Sequence, residues 1–85
     1  MKLTYDPRYN VAYLRFHEKT GQVETLHLSD ELNVDIAPDG TVYGIEMLNA
    51  SQQLRAEDNG NLIVVNVALA QSHEIPLGEL PKPGS

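Results

Sequence analysis

Eighty-five residues, 41% of them apolar and 21% charged, are enough for one small folded domain with a thin core, and they exclude a disordered tail and a deep cofactor pocket. Twelve acidic against six basic residues leave a net charge of -6, and the cations Lys2, Arg8, Arg15, Lys19, Arg55 and Lys82 form no patch, so nucleic acid is not an expected partner. With no cysteine, disulfides, thiolate nucleophiles and cysteine-bearing zinc sites are excluded.

The chain opens on alternation. Leu3 and Tyr5 share one parity and Asp6-Pro7 breaks the run, which predicts a short first strand. Val11 to Phe16 predicts a second, paired with the first as an antiparallel hairpin, and Lys19-Thr20-Gly21 supplies the next turn. Gln22 to Leu28 alternates less cleanly, as a bulged or edge strand does. Leu32, Val34 and Ile36 then line one face of a fourth strand, and Tyr43, Ile45 and Met47 one face of a fifth. Pairing Ile36 with Thr41 across a four-residue loop, Ala37-Pro38-Asp39-Gly40, gathers these apolar groups on one face and faces Gly44 toward Asn33.

After Leu48 the period changes. Asn49 with Gln52 has the form of a capping box, and Ala50 with Leu54 gives a short helix one apolar line, ending by Asn59-Gly60. Leu62 to Val67 is β-branched and apolar on both parities, the pattern of a strand buried on both faces or paired with another chain. Leu62, Val64, Val65 and Val67 are therefore the expected dimer strand. Ile75 to Leu80 reads as a docking segment and 81–85 as a frayed tail. The expected fold is mainly β (α+β): an antiparallel meander of about five or six strands with one short helix, one domain over 1–80. No apolar stretch has signal-peptide or transmembrane length, so a cytoplasmic chain without membrane partners is expected.

Candidate chemistry is sparse. Asp35 and Glu46 point to the face opposite the apolar one, but in this register Glu46 lies opposite Glu31, about 13 Å along the strand from Asp35, too far for a carboxylate dyad. Asp35, on that polar face, is expected to contribute little to stability. His17, His27 and His73 lack metal-ligand spacing, Ser51 lacks a nucleophile elbow, and no cofactor motif is present. Gly44 leaves a dent between Asp35 and Glu46 that a side chain or a partner would enter, so Asn33, Asp35, Gly44 and Glu46 are the candidate interaction or ligand face.

Two stretches carry a family resemblance. Tyr5-Asp6-Pro7-Arg8-Tyr9-Asn10-Val11-Ala12-Tyr13-Leu14-Arg15-Phe16, and the run from Asn33 to Ser51 with its Gly44-Ile45-Glu46-Met47-Leu48-Asn49-Ala50-Ser51 core, resemble domain-of-unknown-function family 2283, small bacterial domains. Asn10 stands where that family usually has aspartate, and Ala12 where it has leucine. The resemblance implies a small β-rich domain with no assigned activity; an antitoxin-like partner role is an association it brings. The expected function is a non-enzymatic interaction module that self-associates as a dimer or binds a basic protein, the latter favoured by the acidic balance. The alternative is a small-ligand or hydrolytic carboxylate site across a dimer interface, using Asp35, Glu46 and His27.

Overall fold

The computed structural model describes residues 1–78; the expected tail at 81–85 and the end of the docking segment lie outside them. The chain is mainly β: strands β1 (Lys2–Asp6), β2 (Val11–Arg15), β3 (Glu24–Ser29), β4 (Leu32–Ile36), β5 (Val42–Leu48), β6 (Asn61–Asn66) and β7 (Gln71–Pro76), with one α-helix, α1 (Ala50–Arg55), and a 3-10 turn at Asp58–Gly60. Two compact units divide it, Met1–Ala50 and a second beginning at Ser51.

The first unit is a five-stranded antiparallel sheet in the order β1-β2-β5-β4-β3. The β1–β2 and β4–β5 hairpins are those the alternation predicts, but β2 takes β5 rather than β3 as its second neighbour. The reason is local: eight residues, Phe16 to Val23, separate β2 from β3, too many for a tight hairpin and enough to carry the chain to the far edge. There β3 is exposed along its whole length, and its register shifts between His27 and Ser29, the bulge that uneven alternation signals.

The β4–β5 register differs from the expected one by two residues. Val34 pairs with Ile45 and Leu32 with Met47, not with Tyr43 and Ile45, and the loop is three residues rather than four. Turn chemistry decides this. Ala37 N donates to Thr41 O at 2.8 Å and Gly40 N to Ala37 O at 2.9 Å, so Ala37 and Thr41 bracket Pro38-Asp39-Gly40. Gly40 holds φ +92°, where only glycine is relaxed. Asp39 Oδ1 accepts the Thr41 amide at 2.9 Å, which holds its carboxyl below its ordinary range. A bulge at Tyr43 then shifts the ladder by one, from Ile36–Val42 to Asp35–Gly44. An even slip keeps every side chain on its face, so alternation alone does not distinguish the two registers.

One face of the sheet carries Leu3, Tyr5, Ala12, Leu14, Leu26, Leu32, Val34, Ile45 and Met47, because directly paired residues point the same way. Among the described residues Ala12 and Ala50 are the buried apolar ones, and no large apolar side chain is fully buried. The opening turn is pinned at Asn10, which takes φ +54°. Its Oδ1 accepts from the Tyr5 hydroxyl at 3.0 Å, its amide donates to Asn49 Oδ1 at 3.3 Å, and its carbonyl accepts the Ala50 amide at 2.9 Å.

In the second unit α1 ends at Arg55, short of the expected end near Glu57, and Asn49 before it takes φ +52° instead of the extended backbone of a capping-box residue. β6 pairs with β7 within the chain, and Val67 lies past its end in the turn, 87% exposed.

Candidate functional site

The opposite face of the five-stranded sheet is polar. One cross-strand row reads Thr4, Tyr13, Glu46, Asn33, His27, and the next Lys2, Arg15, Gly44, Asp35, Thr25. The corrected register therefore sets Glu46 beside Asn33, about 7 Å along the strand from Asp35 instead of about 13 Å. Gly44 faces Asp35 and not Asn33.

Asp35 lies at the centre, 8% exposed. Its Oδ2 accepts from the Tyr13 hydroxyl at 2.8 Å and pairs with Lys19 Nζ at 2.8 Å, while Oδ1 accepts from Thr25 Oγ1 at 2.7 Å. Burial pushes this carboxyl up, but the bonds from Lys19, Thr25 and Tyr13 outweigh it, and the group sits below its ordinary value of 3.8. The same bond raises Lys19 above 10.5. Burial first, then the Asp35 bond and charge, raise Tyr13 above 10.0. The Lys19 ammonium also stands 5.2 Å from the centre of the Tyr13 ring.

Each partner is placed by its element. Tyr13 crosses the sheet from β2 because Gly44 on β5 has no side chain: a Cβ there would come within 2.7 Å of three atoms of the Tyr13 phenol. The dent expected between Asp35 and Glu46 is thus filled from within the sheet. Lys19 is carried by the β2–β3 connection, whose start is tied down where the Tyr43 carbonyl accepts two amides, Phe16 N at 2.8 Å and His17 N at 3.3 Å. The His17 ring meets Tyr43 edge-on, with centroids 6.1 Å apart and planes at 81°. Thr25 projects from β3, directly opposite Asp35.

The second row is a relay in the open. Asn33 donates its amide to Glu46 Oε1 at 2.9 Å, and its Oδ1 lies 2.8 Å from His27 Nδ1, which fixes that nitrogen as the donor. His27 Nε2 stands 3.9 Å from Asp30 Oδ1, with the ring largely exposed. The four residues singled out from the sequence, Asn33, Asp35, Gly44 and Glu46, do fall on one face. Tyr13, Lys19 and Thr25, which engage Asp35, were not among them. The signal for Tyr13 was Gly44 itself, since a glycine inside a strand marks a close approach; Lys19 and Thr25 left none. Among the described residues no group of three or more His, Asp or Glu side chains is arranged to hold a metal ion.

The fold and this face define a small antiparallel β domain with one apolar sheet face and one face closed by a carboxylate-centred network. Its sequence places it further: the chain belongs to the family described as "Protein of unknown function (DUF2283)", whose model matches residues 2–51. That match spans the five strands of the first unit and ends one residue past it, at Ser51. No curated protein and no solved structure matches the chain. No helix among the described residues is long and apolar enough to cross a membrane.

Proposed function

We propose that this chain is a non-enzymatic interaction module whose five-stranded sheet docks a protein partner through its apolar face. One observation carries the reading: the large side chains of that face are all partly exposed, and no large apolar side chain among the described residues is fully buried. A sheet face whose large apolar side chains are left half-buried or exposed on a small domain is an interaction feature. The net charge of -6 adds long-range attraction for a basic partner, the setting in which an antitoxin-like role would arise.

The carboxylate-site alternative finds less support. Both oxygens of Asp35 are engaged, and a carboxylate held below its ordinary pKa by three donors is a poor general base. The Tyr13 ring occupies the space over Gly44 that a ligand would need.

A photo-crosslinking amino acid at Leu14, in the middle of the apolar face, tests the docking reading in living cells, with Thr4 on the polar face as the control. The expected result is a discrete protein adduct from position 14 and none from position 4. Absence of any adduct from position 14 would overturn the reading.

A further inference from the structure

The face proposed to dock is closed, we infer, by a second copy of this chain, sheet against sheet across a two-fold axis. This rests on the docking reading and names its partner.

Burial supports a partner at this face. Among the described residues no large apolar side chain is fully buried, and a standard interface, which removes about 800 Å² from each side, is the usual means of burying such a face.

Charge then selects among partners. The acids within the ladders of this sheet point mostly the other way: Asp6, Asp35 and Glu46 lie on the opposite face. Of the paired residues that the register sets on the apolar face, Glu24 at one corner is the single charged one. A basic surface laid here would bury cations with one carboxylate to meet them, at a large desolvation cost. A second copy brings a face as free of charge as the first, and the same patch serves both sides of a closed, isologous contact. Two twisted sheets pack this way about 10 Å apart, their side chains interleaving into the core that one chain lacks.

Sedimentation of the purified full chain tests the inference, together with a variant carrying Leu3→Lys and Leu26→Lys. Both positions lie on edge strands, where the side chains are already more than one-third exposed and the fold tolerates a charge. Wild type should sediment at about twice 9.4 kDa, and the variant should weaken association about a hundredfold or more while keeping its β-sheet circular dichroism. Mixed labelled and unlabelled wild-type chains need no variant: isotope-filtered NMR should show Ile45 methyl protons close to apolar protons of the other copy. A wild-type monomer at millimolar concentration overturns the second-copy inference, and so does a dimer without those contacts, or one the variant leaves intact. In each of these cases an adduct from Leu14 to a different protein would leave the docking reading standing, whereas no adduct would remove both.

Discussion

A carboxylate as enclosed as Asp35 would ordinarily be a liability, since an ionised group without partners loses far more in hydration than its surroundings return. Here the hydroxyls of Tyr13 and Thr25 and the Lys19 ammonium take over the role of water. Alternation places Asp35 on the polar face but carries no sign of its enclosure, because a polar face need not be an open one. Asp35→Ala is expected to cost about 1–2 kcal/mol, read from urea unfolding, since an enclosed carboxylate loses three charge-assisted bonds while its half-buried and exposed partners Tyr13, Lys19 and Thr25 turn to water. The pH dependence has two limbs. Asp35 titrates lower folded than unfolded, so its contribution is fully present above 3.8 and is lost as pH falls through the lower folded value. Lys19 titrates higher when folded, so its contribution is present below 10.5 and is lost as pH climbs through the raised value. Tyr13, raised above 10.0, acts in the same alkaline direction. Urea midpoints measured across pH should show Asp35→Asn with a shallower acid limb than wild type; Asp6 and Asp39, also held low, preserve the remainder.

At the scale of elements, the strands were legible wherever one side faces apolar neighbours and the other does not. β7 was not: Gln71-Ser72-His73-Glu74-Ile75-Pro76 is exposed at every position, so nothing imposes a period on it, and it forms by pairing with β6. The β4–β5 hairpin shows the opposite limit, its faces right and its register displaced, because the turn and a bulge set the register. Gly44→Ala is expected to cost about 1–3 kcal/mol, because the added methyl must push a Tyr13 ring that Asp35 holds in place. A double-mutant cycle with Tyr13→Ala checks this: the methyl should be nearly harmless once the ring is gone, and equal costs in both backgrounds would refute the close approach. In the β6–β7 turn, Ala70 holds φ +52°, a conformation costly for an L-residue. Ala70→Gly should therefore stabilise that hairpin by about 0.5 kcal/mol, visible as slower amide exchange in β6 and β7.

For the whole molecule, the sequence reading is accurate about class and family and incomplete about what stands uncovered. Counting apolar residues suggests a core; only pairing shows that the five-stranded sheet gathers them on a face that no large side chain leaves fully buried. A second copy supplying that burial ties folding to association, so the thermal midpoint of the chain should rise with its concentration, by mass action. Calorimetry over a hundredfold range of concentration checks this, and a midpoint independent of concentration would count against it. The Tyr43 carbonyl adds an internal marker. Because it accepts two amides from the segment leading to Lys19, its stretching vibration should lie at lower frequency than that of a singly bonded strand carbonyl. An isotope label on that one carbonyl would make the docking of the Lys19 segment readable as a single infrared band, separately from the unfolding of the sheet.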